Sequence, residues 1–129
     1  MSAPSLVAEW VQKAEGDFQA ATRMMRWRKK PQLDSVCYHC QQCAEKYVKA
    51  FLLQHNIAFP WIHNLPKLNE LCMKVDGSFG LISDLLETLN PFEAETRYPG
   101  YFADQKDARL AIAAMKEVRK FFREKLGLK

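Results

Sequence analysis

From Leu6 to Met25 the apolar side chains come three or four positions apart, as Leu6/Val7, Trp10/Val11, Ala14, Phe18, Ala21 and Met24/Met25. That spacing follows the α-helical turn and gathers them into one stripe. The same period returns in Val36, Cys37, Cys40, Cys43/Ala44, Tyr47 and Ala50/Phe51, where Val48, Leu52 and Leu53 widen the stripe as expected of a central helix. It returns again in Leu65, Leu68, Leu71 and Cys72, in Phe79, Ile82, Leu85, Leu86 and Leu89, and in Ala108, Ile112, Met115, Val118/Arg119 and Phe122. Helices with such stripes bury them against one another, and no strand pattern or internal repeat competes.

Punctuation residues divide the stripes. Pro4 or Ser5 is placed to open the first helix, which runs out in Arg26-Trp27-Arg28-Lys29-Lys30-Pro31, where cations suit the negative helix end and proline blocks continuation. Asp34 or Ser35 is the expected cap of the second helix, and His55-Asn56 its end. Asn64 caps a shorter third helix, Asp76-Gly77-Ser78 breaks it, and the fourth ends at Asn90-Pro91. Phe92 to Phe102 reads as a linking segment, and the last helix starts near Asp104. The 129 residues therefore predict one domain, 1–129, an all-α antiparallel up-and-down bundle of four to five helices.

Composition removes several function classes. Apolar residues at 48% and charged residues at 26% are globular proportions, not those of a disordered chain. The opening Met-Ser-Ala-Pro-Ser has neither the basic nor the apolar region of a secretory signal, and no apolar run reaches the roughly eighteen residues of a membrane span. A cytoplasmic protein without membrane contact is expected, with Cys37, Cys40, Cys43 and Cys72 as reduced thiols. Cys37-x2-Cys40-x2-Cys43 copies an iron–sulfur spacing, but ligands on one continuous helix do not curl round a cluster, so neither metal nor other cofactor is expected. The net charge of +4 permits a phosphate-bearing partner without requiring one. A Gly-rich phosphate loop, a Ser-His-Asp set and a His-Glu-x-x-His metal motif are all missing.

Three groups of residues carry possible chemistry. His39, Gln42, Lys46 and Lys49 fall along one flank of the second helix, where lysine charge and directional Gln and His hydrogen bonds can grip a phosphate or ribose; equally, they can be inter-helix polar contacts and solvated lysines. Arg97 precedes Tyr98, Pro99 and Gly100 in a turn that can aim a guanidinium at an anion, or lock the loop through an ion pair with Glu93, Glu95 or Glu45. Arg23, Arg26, Arg28, Lys29 and Lys30 around Trp27 form the densest basic run, suited to a nucleic-acid backbone but also to a helix C-terminus.

The order of motifs resembles the HEPN family of helical domains. The resemblance rests on Glu9-Trp10-Val11-Gln12-Lys13-Ala14-Glu15-Gly16-Asp17, on Cys37-Tyr38-His39-Cys40-Gln41-Gln42-Cys43-Ala44-Glu45-Lys46-Tyr47-Val48-Lys49-Ala50, on His63-Asn64-Leu65, and on Arg97-Tyr98-Pro99 before the final helix. It covers about Glu9 to Leu126 and implies a four- to five-helix bundle, frequently dimeric. It also implies a prokaryotic protein, often paired with a minimal nucleotidyltransferase in a toxin–antitoxin module, and a nucleotide-binding role. On that basis the expected nucleotide-binding residues are Arg97, Tyr98, His39, Gln42 and Lys46, the ligand is a nucleotide or RNA, and no residue is assigned as catalytic. Ribonuclease branches of the family carry an Arg followed four to six residues later by His at the start of the last helix. No histidine follows Arg97 here, the three being His39, His55 and His63. A ribonuclease reading would need His39 or His63 brought to Arg97, and a purely structural interaction module is the remaining alternative.

A homodimer is expected, because Trp27, Phe59, Trp61, Tyr101 and Phe102 fall at helix ends and in loops that one small bundle would struggle to cover.

Overall fold

The computed structural model describes residues 2–29 and 32–129, all of whose regular structure is helical. Helix α1 (Ala3–Met25) starts from Ser2, whose side chain accepts from the Ser5 amide, with Pro4 in the first turn. α2 (Leu33–Gln54) is followed by α3 (Leu65–Val75), capped by the Asn64 side chain as expected. The fourth apolar stripe divides into a 3-10 turn (Gly77–Ile82) and α4 (Ser83–Leu89). The segment read as a link contains a single helical turn, α5 (Phe92–Glu95), too short for any period to reveal. α6 (Gln105–Lys125) begins at a capping box, in which Asp104 accepts from the Asp107 amide and Asp107 accepts from that of Asp104. Lys30 and Pro31 lie outside the described residues, so the expected proline stop of α1 falls there too.

Two caps are corrected. Ser5 does not cap α1; it lies inside the helix, and Ser2 is the cap. Neither Asp34 nor Ser35 caps α2; Gln32 holds the cap position without a side-chain bond, and Asp34 in the first turn accepts instead from the Ala103 amide at 2.7 Å. That contact returns the chain after Pro99-Gly100 to the start of α2. Arg123, near the end of α6, donates to the Tyr47 hydroxyl, so α6 runs beside α2 in the same direction and opposes α1.

α2 is the axle of the bundle, packing on α1, α6, α3, α5 and α4. Val36, Cys37, Cys40, Cys43, Ala44, Tyr47, Val48, Phe51 and Leu52 are all buried along it. Phe51 of α2, Phe79 of the 3-10 turn and Phe122 of α6 form an aromatic knot, with centroids 4.5 Å (51–79) and 5.3 Å (79–122) apart. Such tilted pairs add stabilisation beyond area burial. Cys37, Cys40, Cys43 and Cys72 are free and buried, and burial pushes each thiol upward, Cys37 and Cys72 to about 12. They act as small hydrophobes, and among the described residues no three His, Cys, Asp or Glu side chains gather as a metal site would need. No helix among these residues is long and apolar enough to cross a membrane.

Of the aromatics expected at the surface, Trp27, Trp61 and Phe102 are exposed, while Phe59 and Tyr101 are half-buried. Phe59 meets the Trp61 ring edge to face, and the Tyr101 hydroxyl donates to Asp107.

Candidate functional site

Helical spacing splits the polar flank of α2 into two rows with different partners. His39 and Lys46, seven residues apart, both reach Asp17 of α1: His39 donates through Nδ1 to Oδ1 at 2.6 Å and Lys46 through Nζ to Oδ2 at 2.5 Å. Asp17 is buried, so the Lys46 ammonium and the His39 ring N–H answer a carboxylate that would otherwise be uncompensated inside the α1/α2 interface. Neither is a free phosphate grip.

The second row is Gln41, Glu45 and Lys49, one helical turn apart and all buried. Gln41 and Lys49 donate to opposite oxygens of Glu45, at 3.1 and 3.0 Å. His63 of the α2–α3 loop donates to the same carboxylate through Nδ1, at 3.0 Å to Oε1 and 3.1 Å to Oε2. Around the Lys49 ammonium stand the rings of Trp10, Phe59 and Trp61, with centroids 5.9, 5.9 and 5.5 Å away. Lys49, expected on the solvated flank, is thus a core ion-pair partner in an aromatic cage, because α1 and the 57–63 loop close over it.

His63 links this interior to the Arg97 turn. Its Nε2 is 3.8 Å from Glu93, whose Oε1 accepts from Arg97 Nη2 at 2.6 Å while its backbone carbonyl accepts from Arg97 Nε at 2.8 Å. Arg97 also lies 5.6 Å from the Tyr98 ring centroid. Gln42 donates to Gln41 at 2.8 Å and thereby joins the same chain of contacts. Of the five expected site residues, the structure joins Gln42, Arg97 and Tyr98 through Gln41, Glu45, His63 and Glu93. It places His39 and Lys46 together on Asp17, in a separate cluster.

The two ends of that chain differ in accessibility. Glu45 and Lys49 are buried, whereas the His63, Arg97 and Tyr98 side chains stand at the surface. An imidazole held on one side by a buried carboxylate keeps its other nitrogen for an outside group, and a guanidinium over a phenol ring combines charge with a stacking face. Sequence reasoning assigned no site role to Gln41, Glu45 or Glu93. The regular Gln41/Glu45/Lys49 spacing was visible, but its burial depends on α1 and the loop above.

A third cluster stiffens the bundle away from this edge. Glu15 accepts from Arg119 at 2.6 and 2.8 Å and from the Tyr47 hydroxyl at 2.6 Å. Burial alone would raise the Glu15 carboxyl, but these bonds and the nearby Arg123 charge outweigh it and hold the group below its ordinary range.

The HEPN domain family matches residues 7–125. TT1696 from Thermus thermophilus has a similar structure, with a TM-score of 0.77 at 21% identity, over 92% of this chain and 97% of that one. An archaeal HEPN homologue is similar at a TM-score of 0.70 and 22% identity, over 92% and 96% of the two chains. At such identities the likeness concerns the fold. No curated protein matches.

Proposed function

The chain belongs to the HEPN family, and from that premise we propose that it is a nucleotide-binding and partner-docking bundle rather than a self-sufficient enzyme. The observation that carries this reading is the exposed Arg97–Tyr98 pair, standing beside His63 at the outer end of an otherwise buried polar chain. A base stacks on Tyr98 and a phosphate takes the Arg97 guanidinium in competition with Glu93, while His63 offers a directional hydrogen bond. Gln42 serves through Gln41 and Glu45, which orient His63. His39 and Lys46 serve by fixing α2 on Asp17, so their contribution is one of position. The partner in this reading is a minimal nucleotidyltransferase, the two forming a toxin–antitoxin-like pair, and the protein itself is a homodimer in the cytoplasm.

Isothermal titration with adenine nucleotides tests the site. Arg97→Ala should weaken binding by about 1.5 to 3 kcal/mol, the range for hydrogen bonds to charged groups, and leave the melting temperature nearly unchanged. Equal titration curves for wild type and variant would remove Arg97 from the site. Co-purification with a nucleotidyltransferase encoded beside the gene tests the partner separately.

One observation favours a second reading, a ribonuclease acting as a dimer: His63 and Arg97 share the Glu93 carboxylate. In that reading His63, oriented by Glu45, takes the 2′-hydroxyl proton while Arg97 holds the phosphate. RNA cleavage that disappears in His63→Ala but persists in His39→Ala would establish it.

A further inference from the structure

At one end of the bundle α1 stops at Met25 and the chain continues through Arg26-Trp27-Arg28-Lys29, and α2 and α6 begin beside it, joined by the Asp34–Ala103 contact. Arg23, Arg26, Arg28 and Lys29 are among the described cations with no carboxylate within ion-pair distance, and they are gathered on one short stretch of chain, whereas Lys46, Lys49, Arg97, Arg119 and Lys125 are each paired. Two large aromatic side chains are exposed at this end, Trp27 at 52% and Phe102 at 86%. Phe102 is the most exposed large hydrophobic residue described, in a turn held by bonds on both sides.

We propose that this end of the bundle is a binding surface for single-stranded nucleic acid, with Phe102 and Trp27 as stacking platforms and the arginines at and just beyond the end of α1 as the backbone track. It lies beyond the Arg97 site and does not depend on it. Phe102 borders a groove of about 240 Å³ whose other walls are Gln32, Leu33, Asp34 and Ala103. That groove offers an aromatic face and a polar edge together, the combination that suits an unpaired base: the ring stacks while the Gln32 amide and the Asp34 carboxylate meet its donors and acceptors. A duplex hides both features inside its stack. A lipid headgroup has phosphate for the arginines but nothing planar for Phe102. Asp34, Asp104 and Asp107 stand at the same end; Asp104 and Asp107 are engaged in the α6 capping box, and Asp34 holds the Ala103 amide. The phosphate track therefore follows the α1 end, where carboxylates are missing.

The test uses the full protein and a fluorescein-labelled single-stranded RNA of about twelve nucleotides, followed by anisotropy at low salt. Phe102→Ala and Trp27→Ala should each weaken binding by about tenfold. Arg26→Ala/Arg28→Ala should lower the slope of log K against log salt by about 1.4, two phosphate contacts on a single strand. Phe102→Ala should leave the calorimetric titration with adenine nucleotides as it is in wild type, which separates the result from the fate of the nucleotide site. Far-UV circular dichroism confirms each fold, as all these side chains lie outside the core. The proposal is overturned by an absence of binding, by full affinity in Trp27→Ala/Phe102→Ala, by equal affinity for duplex RNA, or by preferential co-sedimentation with phosphatidylserine vesicles. Conversion of a dimer to a monomer by Phe102→Ala would likewise overturn it, by assigning the surface to a second copy.

Discussion

Arg119 grips Glu15 with two parallel hydrogen bonds, Nη2 to Oε1 at 2.6 Å and Nε to Oε2 at 2.8 Å, tying the middle of α6 to the middle of α1. The forked geometry is the strong form of the Arg–carboxylate contact, and Tyr47 of α2 adds a third bond to the same carboxylate. Three helices thus meet on one acid. Arg119→Ala should destabilise the fold by about 1 to 2 kcal/mol, more than an exposed ion pair but less than a fully buried one, read as a lowered urea midpoint.

The same carboxylate makes a pH prediction. Its folded pKa is depressed, so its contribution is fully present above the ordinary carboxylate value of 4.5 and is lost as pH falls through the lower folded value. Wild type and Glu15→Gln should therefore differ in urea midpoint at neutral pH and draw together as pH falls below 4.5. A constant difference over that window would show that the shape of the side chain, not its charge, is what counts.

Lys49 and Glu45 form a pair buried almost completely, at 3% and 5% side-chain exposure. Removing one partner of such a pair strands the other charge. Glu45→Ala leaves an ammonium with only ring faces around it and should cost about 3 kcal/mol or more. Lys49→Met keeps an apolar filling for the cage of Trp10, Phe59 and Trp61 and leaves Glu45 bonded to Gln41 and His63, so its loss should be distinctly smaller. Chemical denaturation of both variants checks the order, and the reverse order would mean that Gln41 and His63 do not support the carboxylate.

These contacts mark where local reading stops. The α1 stripe, the Asn64 cap and the Asp104 start of α6 were legible because each depends on residues within one or two turns. Asp34 looked like a cap for the same reason, yet its partner Ala103 is 69 residues away, and only the return of the 97–103 segment decides the matter. The spacing of His39, Gln42, Lys46 and Lys49 placed them on one flank. It did not reveal that Asp17 takes two of them while Glu45 draws Lys49 into the core, since both outcomes depend on which face α1 presents. Arg97 with Glu93 was legible as a local ion pair at helical spacing; the bridge from there through His63 to Glu45 was not, because His63 comes from a loop without periodicity.

The thiols supply a chemical check on the core. All four are buried and raised by burial, so at about pH 8 a disulfide-exchange reagent should find almost no thiolate in the native protein and four reactive groups in the unfolded chain. Rapid reaction of even one thiol under native conditions would show that the helix carrying it opens, α2 for Cys37, Cys40 and Cys43 or α3 for Cys72.

The proposed dimer is testable at one exposed apolar face. Leu81 is 80% exposed and Met73 40% exposed, and the Met73 methyl lies 3.5 Å from the position a Cβ on Gly80, the residue before Leu81, would take. Leu81 also borders a groove of about 300 Å³ floored by Ile82, Leu85 and Phe121 and edged by Glu117, Lys120 and Glu124. An apolar floor with a rim of mixed sign is self-complementary: a twofold axis can set Lys120 of one protomer against a glutamate of the other while Leu81 enters the opposite groove. Leu81→Asp should break the contact, since a twofold dimer would have to bury two unpaired carboxylates, one per protomer, at about 3 kcal/mol each, roughly four decades in Kd. The monomer fold should be unaffected, because Leu81 lies outside the core. Light scattering should give twice 15.0 kDa for wild type and 15.0 kDa for the variant. Wild type at the monomer mass across concentrations would remove the dimer, and a dimer that persists in Leu81→Asp would move it to another face.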